Sequence, residues 1–267
     1  MEITLNINQQ DFPLNVPASE RLLDTLRKLG FFSIKSGGCE KGECGACAVL
    51  LDGRPVNSCT MLTAQAQGHS IETVEAIGEH PQHGWKKSEG LHVIQEAFVD
   101  TGAIQCGYCT PAMVMVAKAL LERNPDPTQE EVREALSGVL CRCTGYLKPV
   151  QAVLRAAAIL RGEDVSPIDE PVDISDALDF SKDDEPSGEP MTSGGGTLTE
   201  THVFPKLKVV DSRSPMKSVG HGEPKVDAIK LVQGKPAFTA DFEKRDLLVA
   251  KVLRSPHAHA IIKNIDV

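Results

Sequence analysis

Apolar and polar residues alternate at the start of the chain, so Ile3, Leu5 and Ile7 fall on one face of a strand. Asp11-Phe12-Pro13 reads as the turn that follows, with Leu14 and Val16 continuing as the hairpin partner. The period then lengthens. Leu22, Leu23, Leu26 and Leu29 recur at helical spacing, with Ser19 as candidate cap and Gly30 as the stop. Residues 36–47 break the pattern with four glycines and read as a loop. The apolar run 48–51 reads as a buried strand, Asp52-Gly53 as a hairpin turn, and 54–59 as the returning strand. Strands, one helix and further short strands predict a small α+β domain over residues 1–76.

Beyond about Ser88 the period is helical throughout. Leu91, Ile94, Gln95 and Phe98 make one face. Thr110-Pro111 reads as a cap followed by a proline in the first turn, opening a helix that runs through Leu121. Thr128 and Glu131 form a capping box for a third helix ending near Leu136, and 150–160 is a fourth. Short Pro/Gly turns between four helices predict a bundle over residues 77–161.

Periodicity is lost over 161–200, and this changes the reading of charge. The net charge is −9, yet residues 163–190 alone carry eleven acids and one base. The rest of the chain is therefore close to neutral, which leaves no basic footprint for nucleic acid. The acidic stretch ends in Ser193-Gly194-Gly195-Gly196 and reads as a flexible linker, taken here as 162–215. After it, 247–250 and 260–262 read as strands around a turn at Ser255-Pro256. The opening residues alternate rather than forming a basic-then-apolar leader, and no apolar run reaches membrane length. A cytoplasmic, reducing compartment is the expectation, and there cysteines serve more often as ligands than as disulfides.

The chain has eight cysteines, in two groups of four. Cys39, Cys44, Cys47 and Cys59 follow C-x4-C-x2-C with a distant fourth, the plant-type [2Fe–2S] spacing. Gly37, Gly38, Gly42 and Gly45 would let the loop wrap a cluster and aim its N–H groups at sulfur, with Lys41 and Glu43 pointing outward. A zinc site and a disulfide set are the competing readings. Cys44 and Cys47 have zinc-knuckle spacing, but the next C-x2-C lies almost sixty residues on.

Cys106, Cys109, Cys141 and Cys143 form the second group, as C-x2-C and C-x-C. Each half lies just before a predicted helix, so two helix N-termini would converge on an anionic thiolate cage and favour its reduced state. Gly107, Gly138 and Gly145 mark tight backbone here. A C-x-C pair is awkward for zinc and strained as a disulfide, which favours a second [2Fe–2S] site.

The segments SGGCEKGECGACAV with Cys59 in NSC, QCGYCTPAM and LCRCTGYLKPV together resemble the iron–sulfur part of the molybdenum hydroxylases, the xanthine dehydrogenase/aldehyde oxidase family. The resemblance covers residues 1–160. It implies an α+β chain with a plant-ferredoxin-like β-grasp domain, then a four-helix bundle [2Fe–2S] domain. It implies that the Cys106/Cys109/Cys141/Cys143 cluster lies next to a molybdopterin and the Cys39/Cys44/Cys47/Cys59 cluster passes electrons to a flavin (FAD) subunit or another acceptor. Gln105 matches the glutamine that hydrogen-bonds the pterin, and Cys143 the ligand that approaches it. Residues 216–267, through LLVAKVLRSPHAHAIIKNIDV, are similar to the start of the molybdopterin-binding large subunit. They imply an incomplete α/β hammerhead-like segment fused through the acidic linker.

The expected function is thus an electron-transfer component of a molybdenum-containing hydroxylase, with the hydroxylation site on a large-subunit partner and no catalytic residue of its own. A stand-alone ferredoxin-like carrier or truncated inactive product, and a zinc-stapled interaction module, are the alternatives. His257 and His259 share a face but lack a third ligand, which points to packing or surface roles. His80, His83 and Trp85 sit in a Pro/Gly loop and read as surface or subunit-contact residues.

Overall fold

A computed structural model describes residues 1–78, 90–165, 225–242, 248 and 250–265. Strands β1 (Glu2–Ile7) and β2 (Gln10–Asn15) pair antiparallel, with Ile3 opposite Leu14 and Ile7 opposite Gln10. The turn lies at Asn8-Gln9, both left-handed (φ 53° and 65°), and not at Asp11–Pro13. Pro13 instead sits inside β2. It is tolerated there because β2 is the edge strand of the order β2-β1-β5-β3-β4, where a missing ladder donor costs least.

Helix α1 (Leu22–Lys28) crosses one face of this sheet. Its N-cap position is held by Arg21 rather than Ser19, without a side-chain cap. A tertiary contact serves instead: Leu22 N–H donates to Met61 O (2.8 Å), and Arg21 bridges to Leu62. Gly30, left-handed at φ 95°, ends the helix as expected. Strands β3 (Ala48–Leu51) and β4 (Arg54–Asn57) form the Asp52-Gly53 hairpin, and β5 (Ser70–Glu72) lies between β3 and β1, parallel to β1.

The apolar run of β3 has a structural reason. Val49 faces the core with Leu5, Ile7, Leu22, Leu26 and Ile71, whereas Ala48 and Leu50 face a second core on the opposite side. A strand buried on both faces loses its alternation. The second core belongs to α2 (Val93–Asp100), α3 (Thr110–Arg123), α4 (Gln129–Leu136) and α5 (Leu147–Leu160), which pack on one another. Helix α3 is buried on nearly every side, between β3 and the other helices, so its sequence is apolar from Pro111 to Leu121 except at Lys118. The Thr128–Glu131 capping box forms with both halves present.

Residues 225–242 lie on this body. Short helix α6 (Ala228–Val232) buries Ala228, Leu231 and Val232 in the helical core. Residues 250–265 are exposed and carry no regular element, so the expected strand at 260–262 does not form. Of the expected strand at 247–250, residues 247 and 249 lie outside the described residues. His80, His83, Trp85 and nearly all of the linker lie outside them as well.

Candidate metal centres

The loop between α1 and β3 carries Cys39, Cys44 and Cys47, and the turn after β4 carries Cys59. The backbone N–H groups of Lys41, Glu43 and Cys44 converge on Cys39 Sγ at 3.4, 3.2 and 3.2 Å. These donors, led by that of Lys41, bring the Cys39 thiol down to about 7, since each stabilises thiolate over thiol. Cys44 is its thiol neighbour. Cys47 shifts the other way. Burial outweighs the donors that reach it and pushes it up to about 11, with Cys59 alongside. Lys41 and Glu43 face solvent, as expected.

In the second group Cys109 occupies the N-cap of α3, and Cys141 and Cys143 lie in the turn between α4 and α5. Cys106 neighbours Cys143, and Cys109 neighbours Cys141. Burial raises Cys109 well above the ordinary thiol range and raises Cys106 too. Burial acts upward on Cys141, but the Thr144 hydroxyl and N–H, the Cys143 N–H and Cys109 together outweigh it and the thiol ends below its ordinary value. The Thr144 hydroxyl donates to Cys141 Sγ at 3.2 Å.

Each cysteine therefore has a thiol neighbour, and in the second group Cys106 is also near enough to feel Cys141. Among the described residues, no three His, Cys, Asp or Glu side chains gather around a single point as one metal ion requires. A two-iron cluster asks for a different arrangement, two thiolates for each iron, with the pairs held apart by the cluster. The donor set, its pairing and the N–H groups aimed at Cys39 fit that requirement.

The two quartets meet through backbone. Leu140 N–H donates to Cys44 O at 2.8 Å, joining a cysteine of the first group to the residue before Cys141. The approach is close: a Cβ on Gly45 would lie 2.0 Å from Gly138 O, and Gly45 is left-handed at φ 67°. Only glycine fits that position. Tyr108, between Cys106 and Cys109, donates its hydroxyl to Ser36 O at 2.6 Å. Tyr146 accepts from Cys141 N–H at 2.8 Å and is itself left-handed at φ 67°.

Residues 225–242 span both groups. Lys225, paired with Asp227, lies close enough to feel Cys106. Leu231 fills the space that a Cβ on Gly107 would need, 2.6 Å away. Gln95, fully buried, donates to Val232 O at 3.2 Å. At the far end Asp241, 4% exposed, accepts from Arg27 (3.1 Å), Lys35 (3.2 Å) and the N–H groups of Ala237 and Phe238 (3.1 Å each). Lys35 immediately precedes Ser36 and the first loop.

Of the expected ligands, the structure sets Cys39 beside Cys44, Cys47 beside Cys59, Cys106 beside Cys143 and Cys109 beside Cys141. Gln105 lies exposed next to Cys106, and Cys143 is exposed on the same side through its contact with Cys106. His257 and His259 are exposed, without a third ligand among the described residues. Sequence reasoning did not single out Tyr108, Tyr146 or Leu140, and named Asp241 only as part of the Gly234-Lys235-x-x-Phe238-x-x-Asp241 pattern shared with the large subunit. The two tyrosines are the chain's only ones and both fall within the cysteine motifs, a signal that composition already offered.

Two family models match. Residues 5–71 match a 2Fe-2S iron-sulfur cluster binding domain, and residues 73–154 a [2Fe-2S] binding domain. The nicotinate dehydrogenase small FeS subunit of Eubacterium barkeri is 46% identical over 156 residues, 58% of this chain and 93% of that protein. A solved aldehyde oxidoreductase from Desulfovibrio desulfuricans is 42% identical with a TM-score of 0.56, over 61% of this chain and 18% of that one. A probable hypoxanthine oxidase of Escherichia coli is 29% identical across all 267 residues, which span 23% of its own length.

Proposed function

The chain belongs to the iron–sulfur subunits of the xanthine dehydrogenase/aldehyde oxidase family and is an electron-transfer component of a molybdenum hydroxylase, and on that footing we propose which residues carry the relay. Its cofactors are two [2Fe–2S] clusters. Cys39, Cys44, Cys47 and Cys59 hold the first, in a β-grasp domain over 1–76. Cys106, Cys109, Cys141 and Cys143 hold the second, in a four-helix bundle over 77–161. Each cluster, when bound, takes up and releases one electron, so two in series form a relay.

One observation carries this reading: eight thiols in four close pairs, with the two groups joined by the 2.8 Å bond from Leu140 N–H to Cys44 O. The protein's own residues do the rest. N–H donors on Cys39 and the Thr144 hydroxyl on Cys141 hold thiolate without a proton. Burial of Cys47 and Cys109 raises the cost of bare thiolate, so iron must replace the proton there.

The exposed side of the second group, with Gln105, Cys106 and Cys143, faces the molybdopterin of a large-subunit partner. Gln105 offers an amide to the pterin and Cys143 lies nearest it. The first group passes electrons outward to an FAD subunit or another acceptor, in the cytoplasm. Residues 162–215 tether the start of the large subunit's hammerhead domain, 216–267. The likeness to a hypoxanthine oxidase along the whole chain supports that fusion.

Iron, zinc and acid-labile sulfide analysis of the purified chain tests the reading. About four irons and four sulfides per chain are expected from two [2Fe–2S] centres. About two zincs with no sulfide would overturn it in favour of an interaction module.

A further inference from the structure

The two cluster loops are held by more than the backbone contact at Cys44. We propose that Tyr108 is a positioning residue that sets the first cluster loop against the second, and that docked residues 225–242 keep it in place. The inference rests on the two-cluster reading above.

Tyr108 belongs to the second loop by sequence and to the first by contact. Its hydroxyl donates to Ser36 O, three residues before Cys39, across 72 positions of chain. Its ring approaches the loop at Gly38: a Cβ there would lie 3.0 Å from Cys44 Sγ and 3.8 Å from Tyr108 Oη. The ring therefore stands beside a cysteine of the first quartet while its backbone runs between two of the second.

The other side of the ring is closed by Phe238, edge-on at 5.3 Å and 77°. Phe238 is fixed in turn. Its N–H donates to Asp241, its ring lies under the Lys35 ammonium at 4.8 Å, and Lys35 and Arg27 both hold Asp241. At the other end Leu231 sits on Gly107, the residue before Tyr108. The segment thus grips the Tyr108 peptide and ring from two points, 231 and 238. The ring is thus held by a hydrogen bond on one side and an aromatic contact on the other, and through it the spacing of the two loops is set.

The test uses the full chain with both clusters in place and reads the magnetic interaction between the two reduced clusters by low-temperature EPR. Tyr108→Phe keeps the ring and removes the hydroxyl; Phe238→Ala removes the clamp. Both are expected to leave iron content and each cluster's own spectrum intact while diminishing the splitting between them. The double variant should lose no more than the larger single change, because both act on one contact. A splitting unchanged in both variants, with iron retained, would overturn the role of Tyr108 and leave the relay standing. An unsubstituted chain that holds no iron and sulfide would overturn the relay and this inference together.

Discussion

Removing the Asp241 carboxylate should release residues 225–242 while the rest of the chain stays folded. The carboxylate is 1% exposed and faces Lys35 (2%) and Arg27 (10%), so Asp241→Ala strands two buried cations. Breaking one partner out of a buried pair costs about 3–5 kcal/mol. Two backbone N–H groups, of Ala237 and Phe238, lose their acceptor as well, at about 1 kcal/mol each. What remains is chiefly the burial of Ala228, Leu231 and Val232, the last two at about 1.5–3 kcal/mol apiece, with the Gln95 bond to Val232 O and the Tyr108–Phe238 contact, set against the ordering of the whole segment. The loss is therefore as large as the remaining attachment.

Amide hydrogen exchange by mass spectrometry reads the outcome segment by segment. Protection over 228–241 should fall by about four to five orders of magnitude, or to the open-chain exchange rate if that is reached first, since 1.4 kcal/mol is tenfold. Protection over 112–121, in the buried helix α3, should be unchanged. Asp241→Asn, which keeps the shape and one acceptor oxygen but neither the charge nor the second acceptor, should fall between. Full protection of 228–241 in Asp241→Ala would refute the argument. So would parallel loss at 112–121, because the segment would then be part of the core rather than seated on it.

The same carboxylate sets an acid limit. Burial acts to raise Asp241, but the Ala237 and Phe238 donors and Lys35 outweigh it, so its folded value lies below the ordinary carboxylate range. A lowered folded value means stability present above the unfolded value of about 3.9 and lost as pH falls through the folded one, so protection of 228–241 should weaken below about pH 4. Gly45→Ala should destabilise the chain by at least about 1–2 kcal/mol from the left-handed backbone alone, with the collision against Gly138 O added, visible as a lowered thermal midpoint. Thr128→Ala removes the hydroxyl half of a formed capping box, leaving the residue-128 N–H to Glu131, and should cost about 1 kcal/mol by denaturant titration, without changing cluster spectra. Cys143→Ser should disturb one cluster's EPR signal and leave the other; disappearance of both would mean that the quartets are not independent.

Much of this architecture was legible where chemistry is local. The Asp52-Gly53 hairpin, the Gly30 stop and the Thr128 capping box each need only neighbouring residues, and each formed. The two 2Fe-2S domains were legible because cysteine spacing is itself a local pattern. The failures share a cause. The Asn8-Gln9 turn uses two left-handed residues without glycine, and Pro13 drew the expected turn towards a position that an edge strand tolerates. Ser19 lost its capping role because Met61 O, far along the chain, accepts the first helical N–H. The seating of 225–242 depends on contacts more than 200 positions apart, such as Lys35 with Asp241. No periodicity within the segment encodes those.

The bare-backbone fit of Gly45 onto Gly138 bears on modularity. Each half of this chain resembles a portable unit, and protein engineers treat such units as interchangeable parts. A half borrowed from elsewhere would couple here only if its own surface were equally flat, since a single methyl group at the seam holds the partners apart. Chimeras should therefore succeed or fail on that one position before any question of redox compatibility arises.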